Sequence, residues 1–103
     1  MADEARVLDA LGDPTRRTVL ELLRGGERSV RELTDATGVS QPAVSQHLRV
    51  LREAGLVTVR PVGTRRLHRV DLDGLSGLRA WVDGFWDDAL DAFVSHVEDG
   101  DAS

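Results

Sequence analysis

A mainly α-helical domain with one two-stranded β-hairpin, in the order α-α-α-α-β-β-α, is predicted by three features of this sequence. Apolar residues recur at helical spacing through residues 4–54, punctuated by capping residues and glycines. Residues 56–70 alternate or run as two short strands around Pro61-Val62-Gly63-Thr64 and read as a hairpin. Residues 73–98 return to a helical pattern, with apolar side chains around much of the circumference. At 103 residues the chain is expected to form one domain around one modest core.

The first helix places Val7, Leu8 and Leu11 on one face. Asp13-Pro14 restarts a helix, because Asp can cap free amides and Pro fits the first turn. Val19, Leu20, Leu22 and Leu23 give this second helix its buried face, and Gly25-Gly26 ends it. Ser29-x-x-Glu32 is a capping box that opens the third helix, with Val30, Leu33 and Ala36 directed inward. Thr37-Gly38-Val39 makes a tight turn, with Gly38 supplying the backbone freedom. The fourth helix starts at Ser40 and stops near Ala54-Gly55. Its Val44, Leu48 and Leu51 fall within about 60° of one another.

Residues 29–54 are therefore two helices joined by a tight turn, which is how a chain presents a helix to the DNA major groove. On the fourth helix, Gln41, Ser45, Arg49 and Arg52 share the side opposite the apolar stripe, with Gln46 further round. Gln can pair with adenine, Ser with several bases, and Arg with guanine or phosphate. The hairpin follows directly, and its Arg65 and Arg66 flank the turn. A basic hairpin in that place is a wing, whose arginines can reach phosphates or the minor groove.

Charge is distributed in keeping with a polyanionic partner. The net charge is -5, yet residues 41–70 hold six Arg and one acid, while residues 71–103 hold one Arg and nine acids. The local field governs binding to DNA, not the sum. All 13 basic residues are Arg, a side chain suited to forked contacts.

The last helix carries Leu75, Leu78, Trp81, Val82, Phe85, Trp86, Leu90, Phe93, Val94 and Val97 over an arc of about 220°, where a one-sided surface helix needs about 100°. The surplus predicts packing on a second copy as well as on its own domain. Asp83, Asp87, Asp88, Asp91 and Glu98 lie on the other side, toward solvent, and Asp99-Gly100-Asp101-Ala102-Ser103 reads as a frayed tail. Arg79 and Asp83 are i,i+4 neighbours and pair weakly at the surface.

Several classes are excluded or disfavoured. There is no cysteine, which removes disulfides, thiolate metal sites and cysteine nucleophiles. No apolar run approaches the roughly 18 residues of a membrane span, and Met1-Ala2-Asp3-Glu4 is unlike a signal peptide. A cytoplasmic protein with no membrane partner, no cofactor and no enzyme activity is the expectation.

The order helix, helix, helix-turn-helix, wing, helix resembles the ArsR family of small winged-helix bacterial transcription repressors. The residues that carry the likeness are Ala10-Leu11-Gly12-Asp13-Pro14-Thr15-Arg16-Arg17, Val30-Arg31-Glu32-Leu33, and above all Ser40-Gln41-Pro42-Ala43-Val44-Ser45-Gln46-His47-Leu48. Leu51-Arg52-Glu53-Ala54-Gly55-Leu56-Val57, and Arg60, Gly63 and Arg65-Arg66 of the wing, extend it over about residues 5–97. The resemblance implies a homodimer joined through its first and last helices, bound to a partly palindromic operator and repressing transcription. It places Gln41, Pro42, Ser45 and Gln46 near the bases and Arg65 and Arg66 in the wing. With the reading of the residues, the DNA-contact set is Ser40, Gln41, Pro42, Ser45, Gln46, His47, Arg49, Arg52, Arg65 and Arg66. The dimer set is Val7, Leu8, Leu11, Leu78, Trp81, Val82, Phe85, Trp86 and Phe93.

The chain departs from metal-sensing members of that family. Its third helix has no thiol, and its last helix offers only His96-x-x-Asp99 with Asp87, Asp88 and Asp91, a thin set for zinc. Trp81…Phe85-Trp86 is similar instead to a metal-independent, autorepressor-like branch, so no metal is expected. Of the other histidines, His47 lies on the flank of the apolar face as a packed residue within reach of a phosphate. His68 is expected at solvent or phosphate, and His96 in the apolar arc at the dimer interface. The rival readings are a metal- or ligand-responsive sensor of the same fold, and a winged helix that binds another protein; the basic segment argues against the second.

Overall fold

The computed structural model describes residues 4–102, with side chains through residue 97. Its elements are α1 (Glu4–Leu11), α2 (Pro14–Arg24), α3 (Val30–Thr37), α4 (Gln41–Glu53), β1 (Val57–Val62), β2 (Arg65–Val70) and α5 (Leu72–Ala102). The capping signals act where the sequence places them. Asp13 accepts from the Thr15 and Arg16 amides at 2.8 and 3.1 Å, ahead of Pro14. Ser29 and Glu32 close a reciprocal capping box. Gly38 caps α3 in the left-handed region, φ 70°. Ser40 caps α4. At the end of α4, the Leu56 amide reaches the Leu51 carbonyl and the Gly55 amide that of Arg52, which is the Schellman pattern.

Val7, Ala10, Val19, Leu23, Leu33, Val44, Leu48, Leu51, Leu56 and Val57 make the core. It lies among α1–α4 and the base of the hairpin. Leu8 turns outward and Ala10 inward, so the buried side of α1 is narrower than the expected Val7-Leu8-Leu11 face. Ala36 is exposed, because it stands about 120° from Val30 on the helix and only Leu33 and Val30 reach the core side.

The hairpin differs from its expected form. Pro61 and Val62 belong to β1, leaving Gly63-Thr64 as a two-residue turn. Gly63 has φ 62° and no non-glycine residue has positive φ, which fits a type II′ turn. Proline is tolerated in the strand for a reason that the register supplies. His68 spends both its backbone groups on Arg28, so the Val59–His68 pair is not hydrogen-bonded across the hairpin. Pairs alternate, so Pro61–Arg66 is not hydrogen-bonded either, and no amide is needed there.

α5 begins one residue before its expected start and runs past residue 98 through Ala102; Ser103 of the expected tail lies outside the described residues. Once a helix is under way each added residue gains a hydrogen bond, so Gly100 and Asp101 do not stop it. Asp71 holds its start, accepting from the Asp73 amide and donating its own amide to the Leu56 carbonyl. Gly74 is buried directly against the Gly55 carbonyl; an ideal Cβ on it would stand 1.9 Å from that oxygen. α5 packs on α1 and then projects. The radius of gyration is 18.8 Å, against about 13 Å for a compact chain of this length.

Candidate nucleic-acid interface

α4 is fixed from beneath by Val44, Leu48 and Leu51, all fully buried. This orientation leaves Gln41, Pro42, Ser45, Gln46 and Arg49 exposed on the outer face. Ser40 is exposed as well, but its hydroxyl is occupied in capping the Ala43 amide at 3.4 Å. Arg49 lies over Glu53 one turn on, at 3.1 Å, in an exposed pair of little energetic weight. His47 is half-buried, with an Nδ1 that meets no hydrogen-bond partner among the described residues.

Arg52 does not join the outer face as freely as expected. It is half-buried, and its Nη1 donates to Nε2 of His68 at 3.3 Å. His68 itself overturns the expectation of solvent or phosphate contact, since it is only 3% exposed. It shares its side of the hairpin with Val57 and Val70, which face the core, and its backbone exchanges two hydrogen bonds with Arg28. Because arginine only donates, His68 accepts at Nε2 and carries its proton at Nδ1, which is buried without a partner among the described residues. Burial, then the charge of Arg52, push the imidazole below its ordinary range.

The wing is tied to the segment between α2 and α3. Arg60 makes a two-bond fork to Glu27, at 2.7 and 2.9 Å. That contact holds the Glu27 carboxyl below its usual range and raises the Arg60 guanidinium above its own. Arg65 pairs with Glu32. Glu32 is held low mainly by hydrogen bonds from Ser29, backbone then side chain, with Arg65 adding its charge. Arg69 donates to Thr58 across the hairpin. Arg66 is exposed and has no side-chain partner among the described residues. The two wing arginines expected at DNA therefore differ: Arg66 is free and Arg65 is engaged. Sequence reasoning missed Glu27, Glu32 and Arg28 as parts of this site, because each meets its partner 33 or more residues away.

Beyond α1, the large apolar side chains of α5 are uncovered. Phe85, Trp86 and Phe93 are 61%, 67% and 65% exposed, and Trp81, Val82, Leu90, Val94 and Val97 are exposed too. The Trp81 and Phe85 rings meet edge to face with centroids 4.8 Å apart. Leu8 is exposed, while Leu11 and Leu78 are half-buried against the core. Val7 is a core residue with no surface left for a partner. Asp83, Asp87, Asp88 and Asp91 are exposed, and Arg79 lies 3.8 Å from Asp83. The side chains of Glu98 and of Asp99, the neighbour of His96, lie outside the described residues. Among the described residues no three His, Asp or Glu side chains gather as a metal would require, and no helix is long and apolar enough to cross a membrane.

An exposed polar face on the second helix of a helix-turn-helix, with an arginine-tipped hairpin beside it, defines a winged-helix DNA-binding regulator. Residues 13–59 match the family described as bacterial regulatory protein, arsR family. The chain is 46% identical over 93 residues to the HTH-type transcriptional regulator Rv2034 of Mycobacterium tuberculosis, covering 90% of this chain and 87% of that protein. Its fold is similar to the crystal structure of a possible transcriptional regulator for arsenical resistance, with TM-score 0.72, 46% identity, and 92% and 96% of the two chains covered. It is also similar to the solution structure of a homodimeric winged helix-turn-helix DNA-binding domain from Mycobacterium bovis, with TM-score 0.67, 37% identity, and 81% and 77% covered. The chain belongs to the ArsR family, and it is a transcriptional regulator, not an enzyme.

Proposed function

We propose that this regulator is a cytoplasmic homodimer that represses transcription by occupying a partly palindromic operator, without a bound metal. The observation that carries the proposal is the uncovered apolar face of α5. Three aromatic side chains more than half exposed on one helix are costly in water unless a partner covers them. A second copy pairing its α1 and α5 with those of the first covers Leu8, Leu11, Leu78, Trp81, Val82, Phe85, Trp86 and Phe93. The homodimeric state of the Mycobacterium bovis relative supports this arrangement. Two α4 helices about 34 Å apart then enter successive major grooves on one side of the DNA. Gln41, Pro42, Ser45 and Gln46 meet base edges, Ser40, His47 and Arg49 lie at the backbone, and Arg66 reaches a phosphate from the wing. The whole chain works as one unit, with residues 29–54 reading DNA, the hairpin bracing them and α5 joining the copies.

Freedom from metal rests on the lack of cysteine and the sparse histidine content. The test is titration of the protein against its own upstream DNA, with and without zinc, alongside sedimentation at low micromolar concentration. A dimer whose DNA binding is unmoved by zinc is expected. Gln41→Ala or Ser45→Ala should weaken operator binding by about 1–3 kcal/mol and leave scrambled DNA unaffected. A monomer in sedimentation refutes the dimer, and release of DNA on adding zinc shows an effector-responsive sensor instead.

A further inference from the structure

We infer that Glu27 and Glu32 are positioning residues that brace the wing and keep Arg60 and Arg65 from contacting phosphate, so that of Arg60, Arg65 and Arg66 only Arg66 carries an ionic contact with DNA. This inference rests on the DNA-binding reading above and divides its labour among particular side chains. The wing meets the α2–α3 junction and the first turn of α3 at three points: Arg60 on Glu27, Arg65 on Glu32, and the paired backbone bonds of Arg28 and His68.

The two carboxylates differ from casual surface partners. Glu27 takes both donors of the side-on edge of Arg60, Nε and Nη2, which matches the charge of Arg60 and leaves only its Nη1 end open. Glu32 is anchored independently, because its Oε1 also accepts from the Ser29 amide and hydroxyl. It cannot swing away from Arg65 without opening the cap of α3. A groove of about 440 Å³ lies between α3 and the wing, and Arg31, Glu32, Asp35, Arg65 and Arg66 line it. Arg66 stands there exposed, and among the described residues its side chain makes no ion pair.

The consequence for DNA binding is quantitative. The salt dependence of affinity counts phosphates neutralised, at about 0.9 per contact. An arginine whose charge is already matched by a fixed carboxylate adds little to that count. Two of the six arginines in the basic segment are matched by carboxylates that the segment itself does not contain. Of Arg60, Arg65 and Arg66, only Arg66 thus adds a unit to the salt slope, so the wing's four arginines count for about two fewer than their number, which restrains binding to unrelated DNA.

The experiment is operator and scrambled-DNA binding across a salt series for the full chain and five variants. Arg66→Ala should lower the slope by about one unit and Arg65→Ala should leave it nearly unchanged. Glu32→Gln keeps the capping box, which glutamine also serves, and frees Arg65. It should steepen the slope by about one unit and tighten binding to scrambled DNA several-fold. Glu27→Gln should act the same way through Arg60. In Glu32→Gln combined with Arg65→Ala the gain should vanish. A gain that survives in that double variant shows simple removal of a negative charge and overturns the inference. So does an Arg65→Ala slope that falls as far as that of Arg66→Ala, and in both cases the DNA-binding reading stands. A native protein with no salt-dependent DNA binding overturns both.

Discussion

Leu48 and Phe93 are both large apolar residues on well-formed helices, yet Leu48 is fully buried and Phe93 is mostly exposed. The contrast separates two regions. In the body built from α1–α4 and the hairpin, each apolar helix face has a neighbour within the same chain. Along α5 beyond Leu78 the apolar arc has none. The first region, Leu8 of α1 and Val62 of the hairpin aside, covers its large apolar side chains within the chain, whereas the second leaves eight of them exposed. A test that distinguishes them is Leu48→Ala against Phe93→Ala. Leu48→Ala should lower unfolding stability by about 2–5 kcal/mol, read from urea midpoints at fixed protein concentration. Phe93→Ala should barely change the midpoint of dilute protomer while weakening self-association by about 2 kcal/mol, roughly 30-fold. If dilute Phe93→Ala unfolds as readily as Leu48→Ala, the α5 face is packed within its own protomer and the contrast fails.

The joint between the two regions is a pair of glycines. Gly74 of α5 sits on the Gly55 carbonyl just past the end of α4, close enough that no side chain fits between them. Gly77, one turn further, has nothing within 4 Å of its ideal Cβ. Gly74→Ala should therefore cost about 3 kcal/mol, since backbone must shift to admit the methyl group. Gly77→Ala should gain up to about 1 kcal/mol from helix propensity and lower unfolded-state entropy. Equal melting temperatures for the two variants would mean that α5 is not seated on the α4 terminus at all.

These residues also show which features a single sequence discloses. The caps at Asp13, Ser29 and Ser40 and the turn at Gly38 are local chemistry, completed within about four residues, and they were legible. So was the outer face of α4, because helical period alone sets Gln41, Ser45 and Arg49 opposite Val44 and Leu48. Gly74 was not legible: inside a helical pattern a glycine signals weakness, and its use depends on Gly55 arriving from elsewhere in the chain. The same holds for the pairs Arg60–Glu27 and Arg65–Glu32, whose partners lie 33 residues apart. His68 was misread because strand alternation does not say which side of a wing is inward. The bridge to Arg28, which turns the hairpin's inner side onto the core, is a nonlocal pairing.

His68 carries the smallest of the expected effects, and it belongs to the body rather than to α5. Its ring is buried and neutral, accepts from Arg52, and is pushed below its ordinary value by burial first and Arg52 second. The folded chain therefore binds fewer protons at this site than the unfolded chain does. Stability from His68 is fully present above the unfolded value of about 6.5. It is lost as the pH falls below that value toward the depressed folded one. Melting temperature should decline as the pH is lowered from 7 toward 5.5, roughly the lower edge of histidine titration. His68→Gln retains an acceptor for Arg52 and has no titrating ring, so it should flatten that decline. A His68→Gln protein whose melting temperature still falls with the native slope would place the titrating group elsewhere. Glu27, Glu32 and Asp13 are held low by Arg60, by Ser29 and by the Arg16 amide, so they keep their charge to lower pH than an ordinary carboxyl. Their share is present above the ordinary carboxylate range and is lost only as the pH falls below it, so these three carboxyls add no slope between pH 7 and 5.5.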